Sequence, residues 1–497
     1  MRYPSLPLFV ACLLLAVQAN AAQLVSTPRA TLVPASETNR PFLSAASALA
    51  PVDLAAQGYA EDELLVNGQA SVYEWSPAGA REAVTARAPR VPYVTRLLVR
   101  RPVDTRRFSG RVIVELLDAT EEYDAAPLWG LSSEQFLRSG DVWVGITVSP
   151  RAVAILEKFD PVRYESLNLV SPPTDCKAAA AGAVASANAS DSGLAWDVIA
   201  QGGALLRSTS HENPLRNYSP RRVILAGYGQ GASYIATFIN ALHASLRLGD
   251  GTPIFDGYLS AAATATTPIN PCAAVSPVEA RTSPHAPLVE ILTQTELRRA
   301  GALHREDSDE RGAVYHLYEI AGAAHSGPFP AGQPAAVDLQ IAGIAAPAED
   351  ACRDVRSDFP AGLAFNAIWW QFDSLLVSGV ALPSVPRIEA DSRGEPVLDK
   401  LGNVQGGWRL PQIDVPLASY SGRSTPSRND AQLRVACEST GYMRRFDSAR
   451  LKALYKDRNE YIKRFNAAVD QAVADGRLVK EDAAALKAPA VRTLAAF

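Results

Sequence analysis

The stretch Leu225-Ala226-Gly227-Tyr228-Gly229-Gln230-Gly231-Ala232-Ser233 carries the clearest chemical signal in this chain. It lies between a short apolar run and a stretch of helical periodicity, the setting of a sharp strand-to-helix turn that displays a nucleophile for acyl transfer. Such a turn is so tight that small residues must flank its central position, and Gly227 and Gly231 meet that need. The centre of G-x-S-x-G is ordinarily serine, and here it is Gly229. Two further residues suit the chemistry and follow in the expected order. Leu288 to Leu292 runs into Thr293-Gln294-Thr295-Glu296, where Glu296 can orient a histidine. Val314 to Ile320 runs into Ala321-Gly322-Ala323-Ala324-His325, a small-residue loop from which an imidazole can reach the turn as general base. Asp307 and Asp309 compete with Glu296 for the acid role from a charged stretch. Ser233 and Ser326 are the nearest hydroxyls to the absent serine's position; Ser233 sits a helical turn too far on.

The glycines admit a second reading, a phosphate-cradling loop. Its third glycine would fall on Ala232, the strand lies more than 200 residues into the chain, and Asp250 and Asp256 each precede a glycine in turn-like stretches instead of closing a strand. The hydrolytic reading is therefore preferred. It implies an oxyanion hole built from the backbone N–H of Gln230 and one from the loop that begins Asp118-Ala119-Thr120. Tyr123, Asp124, Trp129 and Tyr228 are candidates for the pocket wall.

The elements that must position these residues are legible as alternating patterns. Val112 to Leu116, Val142 to Ile146, Val223 to Ala226, Leu288 to Leu292 and Val314 to Ile320 are apolar, largely β-branched runs separated by helical stretches, which predicts a mostly parallel sheet covered on both faces. The helix after the turn is predicted from Gln230 to about Ala244. Upstream, Glu63 to Val66 and Ala70 to Trp75 flank Asn67-Gly68, a two-residue hairpin signal. Downstream, Leu451, Leu454, Tyr455, Ile462, Phe465 and Val469 recur at helical spacing, with Gly476 placed as a C-cap.

Composition sets the outer limits. The 497 residues are 47% hydrophobic and 20% charged, ordinary for a globular chain, and the formal net charge of -4 with scattered basic residues argues against a nucleic-acid partner. Residues 1–22 read as a secretory signal, with Arg2, an apolar run from Leu8 to Val17 that takes in Cys12, and Ala19-Asn20-Ala21 as the cleavage pattern. A secreted or periplasmic location follows from that reading, and no later stretch is apolar for long enough to span a membrane. Residues 23–57 form an arm and 58–497 a single domain with a helical extension. Cys176, Cys272, Cys352 and Cys437 remain, an even number that suggests disulfides and leaves three pairings open. None stands in a C-x-x-C pair, and neither cofactor nor metal is expected.

An ordered series of motifs resembles the secreted "alpha/beta hydrolase domain" proteins, an esterase-like group. It runs through Tyr59-Ala60-Glu61-Asp62-Glu63, Val114-Glu115-Leu116-Leu117, Tyr123 to Trp129, Phe159-Asp160-Pro161, Gly193 to Asp197, the Gly227–Gly231 turn, Glu319 to His325, and Gly406-Gly407-Trp408-Arg409-Leu410-Pro411. The resemblance implies an α/β-hydrolase fold and an ester-like small-molecule ligand. It also implies that Gly229 stands on the serine, Gln230 on the residue after it, Glu296 on the acid and His325 on the base. The chain departs from the pattern at three points: Gly229 and Gly231 each replace a serine, and Asp118 replaces a more usual asparagine. No acyl-enzyme can form on Gly229. The expectation is an impaired hydrolase, with a binding protein or an enzyme working through the His325–Glu296 pair as alternatives.

Overall fold

Runs of β-branched and aromatic residues, which pack well on a pleated surface, close into one nine-stranded sheet. The computed structural model describes residues 23–36, 39–75, 84–172, 193–263, 265–272, 286–297, 305–345 and 352–487. The segment read as a secretory signal and Cys176 lie outside these residues. The strands are β1 (Arg29–Val33), β2 (Tyr59–Trp75), β3 (Val84–Pro102), β4 (Arg111–Leu116), β5 (Val142–Ile146), β6 (Arg222–Tyr228), β7 (Gly257–Ala261), β8 (Leu288–Thr293) and β9 (Tyr315–Ile320). Their order across the sheet is β9-β8-β7-β6-β4-β5-β3-β2-β1. Strands β4 to β9 run parallel to one another, while β3, β2 and β1 add an antiparallel edge beside β5. Every residue of β4, β5, β7 and β9 is buried. Helices cover both faces, and the fold is that of an α/β-hydrolase. Helix α1 (Pro127–Ser139) packs on α4 (Gly362–Ser378), α2 (Ala195–Arg207) lies on β2, and α3 (Gly229–Phe238) lies on β6 and β7.

Three expectations need correction. Asn67-Gly68 is not a turn: both residues sit mid-strand in β2, with Asn67 opposite Val94 and Gly68 opposite Tyr93 of β3. Glycine is needed there for close approach, because a Cβ on Gly68 would stand 2.6 Å from the Tyr93 ring. The antiparallel pair exists, but its strands are 17 and 19 residues long and remain paired as far as Trp75 and Val84. Strand β7 went unrecognised because only Tyr258 and Leu259 mark it before small residues take over. The tail is not one helix. It divides into Ser448–Leu454 and α5 (Arg458–Ala474), each opened by an aspartate whose carboxylate accepts a first-turn N–H: Asp447 from Arg450 and Asp457 from Glu460. The helix after the turn also ends early as α-helix, at Phe238, and continues as one wide turn over Ile239–His243.

Cys352 and Cys437 form a disulfide across 85 positions, and Cys272 is also disulfide-bonded. Among the described residues no helix is long and apolar enough to cross a membrane.

Candidate active site

Parallel strands present their C-terminal ends to one edge of a sheet, where ligands of open α/β folds bind. Strand β6 ends there at Tyr228, and α3 begins at once with Gly229 in the left-handed region at φ +52°. The turn is closed by steric necessity. A Cβ on Gly227 would come within 2.6 Å of the Ala232 nitrogen, and one on Gly231 would collide with the Leu116 carbonyl of β4. The two flanking glycines are thus explained by packing alone. Gly229 is different: no backbone atom crowds a Cβ there, and only its left-handed φ disfavours a side chain.

The acid–base pair is complete. His325 Nδ1 lies 2.9 Å from Glu296 Oε1, a spacing of 29 positions in sequence. Glu296 is fully buried, and its other oxygen accepts both the backbone N–H and the hydroxyl of Thr293, each at 2.7 Å. The histidine backbone is held as well: its N–H donates to Thr295 Oγ1 at 3.0 Å, and Tyr228 Oη donates to its carbonyl at 2.6 Å. The Tyr228 ring packs 5.4 Å from the imidazole, centre to centre. Burial, with the charges of Glu296 and Asp118 nearby, pushes the Tyr228 hydroxyl well above its ordinary value, so it stays a proton donor. The His325 side chain is one-fifth exposed. A carboxylate bonded to Nδ1 fixes the ring so that Nε2 is its basic face.

The other half of the site departs from expectation. Asp118 was expected to give a backbone N–H to an oxyanion hole. Instead Asp118 and Ala125 exchange both backbone hydrogen bonds at 2.9 Å, closing residues 118–125 into a small loop in which Glu122 takes φ +70°. The Asp118 N–H is therefore spent. The next N–H, of Ala119, donates to Gln230 Oε1 at 3.1 Å. Gln230 itself stands in the first turn of α3, where N–H groups have no partner within the helix.

It is the side chain of Asp118 that enters the site. Oδ1 accepts the Thr120 N–H at 2.7 Å, which turns Oδ2 toward Gly229. A Cβ built on Gly229 would lie inside 3.0 Å of Oδ2 and 3.5 Å from His325 Cε1. The carboxylate occupies the space that a serine side chain would need.

Of the pocket candidates, Tyr228 lines the site. Tyr123, 8% exposed, lies near Asp118, and its hydroxyl bonds Gln333 at 3.3 Å; burial pushes that hydroxyl up to about 12. Asp124 and Trp129 do not line it. Asp124 is buried against Arg96 at 2.7 Å and accepts from Thr147, and Trp129 stacks under Arg100 in the core. Burying Arg96 and Arg100 demands carboxylate or aromatic partners, which accounts for Asp124 and Trp129 respectively. Asp307 and Asp309 hold His316, not His325. The Ser233 hydroxyl donates to the Gln230 carbonyl at 2.6 Å and meets Thr267, and Ser326 is bonded to Ser439, so neither is presented to the imidazole as a nucleophile. Thr293 and Thr295, which lock the acid and the base, carry no sequence signal beyond adjacency to Glu296. A cleft of about 840 Å³ lined by Leu131, Pro328, Pro330 and Asp358 opens beside the loop after His325, but none of Gly229, Asp118, Glu296 and His325 lines it.

Residues 25–488 match a family model described as "Alpha/beta hydrolase domain". No curated protein matches the chain. Among solved structures it is similar to a lipase/esterase from Lactobacillus plantarum at 11% identity, covering 46% of this chain and 87% of that one with a TM-score of 0.28. An α/β serine hydrolase without a lid from Xanthomonas campestris shares 11% identity over 55% of this chain and 90% of that one, TM-score 0.26. An α/β serine hydrolase homologue from Coxiella burnetii shares 11% identity over 47% and 84%, TM-score 0.24.

Proposed function

The chain belongs to the alpha/beta hydrolase domain family, and on that premise we propose that it is a hydrolase of the carboxylic-ester type whose serine route is closed. In this reading His325, braced by Glu296, takes a proton from water directly and delivers the hydroxide to a small ester-like ligand. The single observation that supports it most is the pair itself: a 2.9 Å bond from imidazole to a carboxylate that is fully buried and doubly hydrogen-bonded, beside a backbone position with no side chain. A residue retained only for packing would not need a carboxylate desolvated under an imidazole, because an uncompensated buried charge costs several kcal/mol. Turnover is expected to be slow. Sites that lose a triad nucleophile keep about 10³–10⁴-fold over water.

A second reading, binding of an ester-like molecule without turnover, draws on Asp118. Its carboxylate places negative charge near the region where an oxyanion would develop, which disfavours the tetrahedral intermediate. Hydrolysis of para-nitrophenyl acetate by the parent and by His325→Ala separates the two. The water-activating reading requires parent turnover that falls by about 10²–10⁴-fold in the variant; equal rates in both would leave binding alone.

We further propose a secreted or periplasmic setting. The Cys352–Cys437 disulfide supports it, since such bonds persist in oxidising compartments.

A further inference from the structure

We propose that Asp118 is a nucleophile of this site, directed at saturated carbon that carries the anion of a strong acid. This rests on the reading of His325 and Glu296 as a pair that activates water.

The observation is one of replacement. The side-chain space of Gly229 is not empty: Oδ2 of Asp118 fills it, from a neighbouring loop and not from the turn itself. An Asx-type turn explains Oδ1, which accepts the Thr120 N–H. It does not explain why the second oxygen is aimed at the bend, within reach of an intact acid–base pair. The main chain of Asp118 is clamped by two bonds to Ala125, and the Thr120 N–H on Oδ1 sets the aim of the carboxylate. Burial to 7% exposure strips water from the carboxylate, and a carboxylate held this way is a competent covalent catalyst.

The class of substrate follows from the chemistry of the nucleophile. Attack by a carboxylate on the acyl carbon of an ordinary ester must expel an alkoxide, a far stronger base, and leaves a mixed anhydride. Attack on saturated carbon bearing bromide, or a comparable weak base, runs downhill. In that step Oδ2 forms a bond to carbon while the carbon–bromine bond breaks with its electron pair, giving an alkyl ester of Asp118 and free bromide. His325 Nε2 then removes a proton from water, whose oxygen adds to Cγ of Asp118. Collapse breaks the bond from Cγ to the alkyl oxygen, and the alcohol leaves with the proton from His325. The aspartic acid loses its own proton to solvent, so that alkyl bromide and water become alcohol, bromide and a proton. One oxygen of Asp118 is exchanged for that of water in each turnover.

The test uses bromobutane with the purified parent, His325→Gln and Asp118→Asn, followed by intact-mass and peptide analysis. His325→Gln is expected to accumulate one butyl group on the peptide that contains Asp118, and Asp118→Asn to lose that adduct while keeping the parent's circular dichroism. In oxygen-18 water, a single turnover of the parent should place the heavy oxygen in Asp118 and leave the butanol unlabelled. Heavy oxygen in the first butanol, or butylation that persists in Asp118→Asn, overturns the assignment. So does the absence of any adduct in His325→Gln. If that absence accompanies His325-dependent hydrolysis of para-nitrophenyl acetate, Asp118 is excluded as nucleophile while the water-activating reading stands; if ester turnover is missing too, both fall.

Discussion

The two halves of the site are built to different rules. On one side Glu296 and His325 stand at the ends of β8 and β9, and threonine side chains satisfy both the acid's spare oxygen and the base's backbone. The Glu296 carboxylate, the imidazole Nδ1 and the His325 N–H are held by partners within the same pair of loops, and Tyr228 of β6 holds the His325 carbonyl. On the other side the turn is shaped by what cannot fit. Gly227 and Gly231 are forced by backbone contacts, and Gly229 faces a carboxylate that came from elsewhere in the chain. The first half is kept by hydrogen bonds, the second by volume. Losing a side chain from the second half therefore leaves the first intact, and a neighbour is free to move into the gap.

The comparison is broken most strongly by restoring the missing group. Gly229→Ser alone must fit a Cβ against Asp118 Oδ2, so a small gain in para-nitrophenyl acetate hydrolysis is expected. Gly229→Ser/Asp118→Ala clears that space and should gain about 10²–10³-fold over the parent, part of the span that a triad nucleophile commands. Equal rates for the single and double variants would show that the carboxylate is not an obstacle. Next in size, Glu296→Gln removes the charge that steadies a protonated imidazole and is expected to lower parent turnover by about 10–100-fold; an unchanged rate would detach the first half from the chemistry.

Smaller effects sharpen the boundary between site and scaffold. Glu115 of β4 looks like a candidate acid but is buried under α1, where it accepts the N–H groups of Leu128 and Trp129 and the indole of Trp143. Burial raises its carboxyl from 4.5 to about 7. The folded state thus holds a proton that the unfolded chain releases, and the contribution to stability, whole below the unfolded value, is lost as pH rises to about 7. The size is on the order of 3 kcal/mol. Glu115→Gln should flatten that part of the decline in thermal midpoint between about pH 4.5 and 7; an identical slope in both proteins would contradict the account. Ser233→Ala is expected to cost about 1 kcal/mol through its bonds to Gln230 and Thr267, with ester turnover unchanged. A loss of turnover would make it part of the machinery.

What could be read from the sequence follows the same division. The order Gly229, Glu296, His325 was legible because each ends a strand whose apolar run is self-evident. Strand β7 and the mid-strand place of Asn67-Gly68 were not, since Gly68 answers to the ring of Tyr93 opposite it and not to its neighbours in sequence. The role of Asp124 was misjudged for a similar reason: proximity in sequence to Asp118 suggested a pocket, while a buried Arg96 on β3 claims it. Asp118 is legible in sequence as a departure that brings negative charge toward an oxyanion, but nothing in the sequence places its Oδ2 against Gly229. A single sequence shows no link between a glycine at 229 and a carboxylate at 118; only their shared volume does.

Labelling with a fluorophosphonate, followed by peptide mapping, probes that shared volume most directly. The parent should take no label at position 229, Gly229→Ser should react slowly, and Gly229→Ser/Asp118→Ala should label at that position to one equivalent. Rapid labelling of the single variant, equal to that of the double, would contradict the claim that Asp118 stands where the serine side chain belongs.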